Sequence, residues 1–429
     1  MGRIEARLQS IPVEPRALAD YHGRAPAESV DRAAELAEPL AGARVLYARA
    51  TPFEAADGAR SLAPLLEGLG LEAERALLHG DRDFQLAAHE LADGLRGAAW
   101  GWGEGRWRAF REACEGAAVA ADLRRYDAVI IQGAGAAPLI EGRRSGAAGW
   151  LWRTGVDAST PEGDCWSALE PLLSAYSTLC LALPDYAPPG LGGRRLRIVP
   201  GGFDPLAAAQ RDLSAAELTR LAGGLGLDLE RPLIVHLGVL DAWADPLASV
   251  QSWFDARAAV PGLQLAVAGG VDPSDPEAVA LLDELSAFAG EDPDLHLLTD
   301  RGGFAGEELN AAGRLARGAV HATLGEQFEP ALAASLWRGT AMIADGSSAR
   351  AQLRDGHDGF LASDPGERTA AIVELAEDPA RAVEMGLAGR ESARLRFSLP
   401  RLLEDELELL GALLSPAAAA AGERSAVAA

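Results

Sequence analysis

The sequence predicts an α/β protein built from two doubly wound domains. Short β-rich runs alternate with amphipathic stretches of roughly 10–15 residues, the pattern of βα units laid on a parallel sheet. The alternation occurs twice, on either side of a proline- and glycine-bearing stretch, Pro200–Ser214. A length of 429 residues is enough for two cores of ordinary size.

In the first half, strands are expected near Ala43–Arg49, Ala73–Leu78, Asp127–Gln132, Gly149–Arg153, Thr178–Ala182 and Leu196–Val199. Helices are expected between them at Gly58–Leu69, Asp83–Arg96, Arg106–Leu123 and Asp164–Tyr176. The run Trp100–Trp107 opens the third of these, and its tryptophans read as packing anchors before they read as a sugar platform. In the second half, strands are expected at Pro232–His236, Leu263–Ala268, His296–Leu298, Ala319–Ala322, Ala341–Ala344 and Gly359–Ala362, with a helix at Pro246–Arg257. Ser398, as N-cap, and Pro400, in the first turn, set up a last helix at Arg401–Leu413. The expected boundaries are 1–205, 206–396, a crossover helix within 397–413, and an Ala-rich tail, 414–429, expected to be disordered.

Composition narrows the function. A net charge of −24 opposes nucleic-acid binding, which needs basic surface to displace counterions. No apolar run approaches the roughly 20 residues of a membrane span, and Met1–Glu14 has no apolar signal-like core. Cys114, Cys165 and Cys180 are far apart, with no metal-ligand spacing, and read as free thiols in a reducing cytoplasm. The chain has no lysine and one asparagine, Asn310. A GC-rich coding bias exchanges Lys for Arg; it does not exchange either for an aliphatic residue.

Ligands of open parallel sheets bind beyond the carboxyl ends of the strands. Two such domains imply a cleft between them, lined by the loops 51–60, 132–138, 153–159, 238–245, 269–275 and 323–328. These loops carry several motifs. Gly325-Glu326-Gln327-Phe328-Glu329-Pro330, continuing to Ala334 and Trp337-Arg338-Gly339, is similar to E-G-F-G-x-x-x-x-E-A-x-W-x-G. Trp150-Leu151-Trp152-Arg153-Thr154-Gly155-Val156-Asp157 is similar to W-L-W-R-C-H-I-D, and Leu183-Pro184-Asp185-Tyr186 to L-P-E-Y. Pro200–Leu206 is similar to P-P-S-I-D-P-L, Asp241–Pro246 to R-F-D-P-W-K, and Asp355–Leu361 matches D-G-x-x-G-F-L.

Together, over roughly Leu36 to Leu410, the chain resembles the glycosyltransferring trehalose synthases. The resemblance implies a GT-B fold: two Rossmann-like domains facing a cleft, with the C-terminal helix returning to the first. It implies transfer of glucose, with retention, from a nucleotide-glucose donor to a sugar, without metal or other cofactor. It also implies a homodimer or a protein partner, and a sugar or nucleotide-sugar ligand. Glu326, Phe328, Arg153, Asp157, Asp241, Trp152 and Trp243 are the candidate sugar-binding residues. For Arg153 and Asp157 an internal ion pair is the competing reading, and for the tryptophans a place in the core.

The departures fall on the donor chemistry. Val239 and Ala244 stand where the family has an Arg and a Lys on the leaving diphosphate, and Ala334 stands where a Glu holds the ribose. Gln327 and Glu329 replace the two glycines, Gly155 a histidine, and Gln132 opens a run that has lost an imidazole and a carboxylate. The glycine-rich loop after the first strand reads Thr51–Gly58, with Glu-Ala-Ala at its centre. Arg301, Arg314, Arg338 and Arg350 are the cations that could compensate. The expected function is a degenerate homologue kept for binding, regulation or scaffolding. The alternative is an active retaining glycosyltransferase with a rebuilt donor site and a trehalose-type product.

Overall fold

The computed structural model describes residues 4–50, 59–143, 149–191, 195–238, 240, 243–271, 273, 275–299, 306–322, 328 and 330–415. The chain divides into two compact units, Met1–Gly202 with Leu399–Ala429, and Phe203–Ser398.

In the first unit the strands are β1 (Ala6–Ile11), β2 (Arg44–Arg49), β3 (Glu72–Gly80), β4 (Ala128–Gln132), β5 (Gly149–Thr154), β6 (Thr178–Leu181) and β7 (Leu196–Ile198). Their helices are α1 (Ala27–Ala37), α2 (Ala59–Gly68), α3 (Arg82–Leu95), α4 (Glu104–Ala120) and α5 (Gly163–Leu173). The sheet runs β1-β3-β2-β4-β5-β6-β7. β2 to β7 are parallel, while β1 joins the edge antiparallel to β3. β1 was not expected from the sequence, because its six residues alternate weakly and carry little apolar signal. Ala6 and Leu8 supply it by packing on the first core. Trp100, Trp102 and Trp107 pack on one another, and Trp102 and Trp107 on Phe110, at centroid distances of 5.1 to 6.2 Å, as packing anchors do.

The second unit contains α6 (Ala215–Gly224), β8 (Leu233–Leu237), α7 (Pro246–Ala256), β9 (Gln264–Ala268), α8 (Pro276–Glu291), β10 (Leu295–Leu298) and α9 (Gly306–Leu315). It continues through β11 (Gly318–His321), α10 (Pro330–Arg338), β12 (Ala341–Ala344), α11 (Gly346–Gln352), β13 (Gly359–Leu361), α12 (Pro365–Glu377) and α13 (Pro379–Arg396). Its sheet, β10-β9-β8-β11-β12-β13, is wholly parallel. Every residue of β8, β9, β11 and β12 is buried, as expected for a parallel sheet covered on both faces.

The last helix, α14 (Leu399–Leu414), returns to the first unit. It buries Leu402, Leu403, Leu407, Leu410 and Leu413. Its close approach requires a glycine: a Cβ on Gly149, at the start of β5, would lie 2.3 Å from Leu413 Cγ. The predicted N-cap fails. Ser398 instead bridges to Phe203, and its buried hydroxyl has no hydrogen-bond partner among the described residues. Phe203, Asp204 and Pro205, read from the sequence as the end of the first domain, lie in the second unit. The Phe203 N–H donates to the Phe397 carbonyl at 2.9 Å, which ties the two ends of that unit together.

Candidate functional site

In the first unit the candidate residues cluster at the carboxyl ends of β4 and β5. Parallel register sets Gln132 beside Arg153, and Arg153 beside Cys180 on β6. Adjacent residues of a strand face opposite sides, and Arg153 and Trp152 part accordingly. The Trp152 indole is fully buried and donates to the Gly133 carbonyl at 2.9 Å. The Arg153 guanidinium donates to Glu406 of α14, whose other carboxylate oxygen accepts from the Tyr47 hydroxyl at 2.7 Å. Its ion-pair partner is thus Glu406, not Asp157. Asp157 closes its own turn, with Oδ1 accepting from the Ser159 N–H at 2.8 Å.

The Arg153 and Glu406 side chains are 10% and 1% exposed. Burial alone would lower the Arg153 pKa, yet the adjacent carboxylate holds the guanidinium charged. Burial also lifts the Tyr47 phenol well above its ordinary value, with Glu406 adding to the effect. Arg153 is therefore a brace between the sheet and α14. Beside it, Gln132, Gly155 and Arg96 border a cavity of about 40 Å³. At roughly 10–15 Å³ for each water position, that accommodates a few waters rather than a sugar ring.

Tyr47 and Glu406 were not singled out from the sequence, and Cys180 was read there only as a free thiol. Glu406 was findable, being the one carboxylate on the apolar stripe of α14.

In the second unit the candidates follow β8 and β11. Val239, Asp241, Glu326, Gln327 and Glu329 lie outside the described residues, as do Arg301 and the loop 51–58. Ala244 is 7% exposed and Ala334 5%, so methyl groups occupy two positions where the resemblance implies charged side chains. Trp243 is half-buried. Asp245 adopts a left-handed conformation, φ 36°, and caps α7 by accepting from the Ala248 N–H at 3.1 Å. Phe328 is fully buried against Phe397, with ring centroids 6.2 Å apart.

Two of the candidate compensating cations are engaged elsewhere. Arg338 Nε donates to the Ala209 carbonyl at 3.1 Å, and Arg314 donates to those of Gln210 and Arg211 at 3.2 and 3.1 Å. Burial, with Arg314 nearby, holds Arg338 at about 9. Arg350 is exposed. Among the described residues no group of three or more His, Cys, Asp or Glu could hold a metal ion, and no helix is long and apolar enough to cross a membrane.

Beneath the β8 loop, His236 is fully buried, its Nδ1 2.9 Å from Ser249 Oγ. Burial, with His321 nearby, pushes its pKa from 6.5 down to about 3. In the unfolded chain the same imidazole protonates near 6.5, so the folded state is fully favoured above that pH. Its contribution is lost as pH falls from 6.5 toward 3, by up to about 1.4 kcal/mol per pH unit. Thermal unfolding from pH 7 to pH 5 should therefore fall more steeply in the parent than in His236→Gln. Equal slopes would show that His236 does not titrate on unfolding.

The comparisons with known proteins agree with this architecture. A family model described as "Trehalose synthase, N-terminal domain" matches residues 56–188. The trehalose synthase of Rubrobacter xylanophilus is 29% identical over 415 residues, 95% of this chain and 99% of that protein. Among solved structures, a sucrose-phosphate synthase from Thermosynechococcus elongatus superposes with a TM-score of 0.65 at 14% identity, covering 86% of this chain and 99% of that one. An E. coli structure titled as trehalose-6-phosphate bound with UDP-2-fluoro glucose gives 0.67 at 12% identity, covering 85% and 98%. The structural likenesses speak for the fold alone. With that fold, and a sequence match running nearly end to end, the chain has a GT-B architecture and is similar along its length to the trehalose synthases.

Proposed function

We propose that this glycosyltransferase homologue has lost sugar transfer and acts through binding, as a regulatory or scaffold subunit. The carrying observation is the engagement of Arg314 and Arg338 by the backbone carbonyls of 209–211, which leaves neither to replace the missing diphosphate partners. The buried methyls of Ala244 and Ala334 support the same reading. So does Arg153, which is held by Glu406. A sugar or a nucleotide sugar is the ligand class, by analogy with the UDP-sugar in the E. coli neighbour. The cytoplasm is the compartment, a reading supported by three buried, unpaired cysteines. A homodimer or a protein partner completes the proposal.

The rival is an active retaining enzyme making a trehalose-type disaccharide, which the end-to-end match to the Rubrobacter protein favours. Incubation with UDP-glucose or ADP-glucose and free glucose separates the two. The proposal expects no disaccharide above the no-enzyme control. Steady, enzyme-dependent formation of a glucosyl disaccharide would overturn it.

A further inference from the structure

The family motif keeps two of its aromatic residues in this chain, Phe328 and Trp337, and both face the ends of the second unit. The chain enters that unit at Phe203 and leaves it at Ser398. Trp337 lies against Phe203, with ring centroids 5.6 Å apart, and Phe328 lies against Phe397 at 6.2 Å. The Phe203 N–H donates to the Phe397 carbonyl, closing a continuous path Trp337–Phe203–Phe397–Phe328. All four side chains are at most 5% exposed. Cations cover two of the rings: Arg390 lies 4.5 Å from the Trp337 ring centre and Arg396 4.7 Å from that of Phe397.

The entry segment is held further along. The carbonyls of residues 208 to 211 all accept from side chains of α9 and α10. Asn310 donates to Ala208 and Arg211, Arg338 to Ala209, the Trp337 indole to Gln210, and Arg314 to Gln210 and Arg211. The chain's one asparagine is thus a buried clamp on this segment. Four successive carbonyls served by side chains of two helices leave the segment little freedom to shift unless α10 shifts with it.

We propose that Phe328 and Trp337 are positioning residues through which α10 is coupled to both points where the chain passes between units. A displacement at either end of the path is felt at the other, because the packed rings and the Phe203–Phe397 hydrogen bond have no slack. This accounts for the retention of Phe328 and Trp337 beside the changed positions Gln327, Glu329 and Ala334. The inference does not depend on whether the chain transfers sugar.

The test is amide hydrogen exchange on the full-length chain, with no ligand. Phe328→Leu should speed exchange of the Phe203 amide, far away in sequence, by roughly tenfold, the scale set by losing one aromatic pair. Phe203→Leu should reciprocally speed exchange at Phe328 and in the first turn of α10. The double variant should exchange no faster at either place than the faster single variant, since either change already breaks the path. Phe254→Leu, on the exposed face of α7, is the control and should leave these amides unchanged. Should a single variant prove too unstable, Phe328→Tyr and Phe203→Tyr carry the same cycle. Local, one-way or additive effects in folded variants would overturn the coupling and leave four independent core residues.

Discussion

Replacing Glu406 with leucine is expected to cost the chain about 3–5 kcal/mol, the usual penalty for leaving one member of a buried ion pair without its partner. The geometry gives the reason. Arg153 and Glu406 are both buried, and Glu406 also takes the Tyr47 hydroxyl. Leucine would leave a charged guanidinium and a phenol facing hydrocarbon. Arg153→Met alone should be similarly harmful, because it strands the carboxylate. The pair Arg153→Met with Glu406→Leu should recover most of the loss, since a packed apolar pair is often as stable as the buried ions it replaces. Urea unfolding of the four proteins measures this directly. Additive losses in the double variant would mean that Arg153 and Glu406 act separately, and would return Arg153 to the pool of ligand-binding candidates.

The second large effect is a gain. Val239→Arg with Ala244→Lys should strengthen nucleotide-sugar binding by up to about 3–6 kcal/mol, two charge-assisted hydrogen bonds at roughly 1.5–3 kcal/mol each. On the proposed alignment partial recovery is expected, because Glu329 would add negative charge to the motif and Ala334 would offer the ribose nothing. Adding Glu329→Gly and Ala334→Glu should then raise affinity further, while transfer stays slow without the histidine replaced at Gly155. Ala244 is buried, so folding of each variant needs checking by circular dichroism before titration. A folded quadruple variant that binds no better than the parent would show that these loops are misaligned with the family's donor site.

The sequence told the architecture well and the side-chain partnerships poorly, for physical reasons. Strands such as Leu233–Leu237, apolar but for His236, and Ala341–Ala344 are apolar runs because the parallel sheet is covered on both faces, and such runs stand out unaided. β1 gave no such signal, since an edge strand buries only every other side chain. The buried brace was hidden by distance: Arg153 and Glu406 are 253 residues apart, and only the return of α14 joins them. Arg153 near Asp157 invited a local pairing that does not form, because Glu406 of α14 holds Arg153 while β5 ends at Thr154 and Asp157 closes its own turn. The clamp on residues 208–211 was equally invisible. Backbone carbonyls leave no trace in a sequence, and the clue, a single asparagine in the whole chain, acquires meaning only once its partners are known.

Calorimetric titration of the unmodified protein with UDP-glucose and ADP-glucose tests the central claim, the loss of the donor site, most directly. If both diphosphate partners are lost as proposed, dissociation constants weaker than about 1 mM, or no detectable heat, are predicted for both donors. Free glucose or trehalose binding weakly would be compatible with that result. Micromolar binding of either nucleotide sugar would contradict it, and would establish a rebuilt donor site in its place.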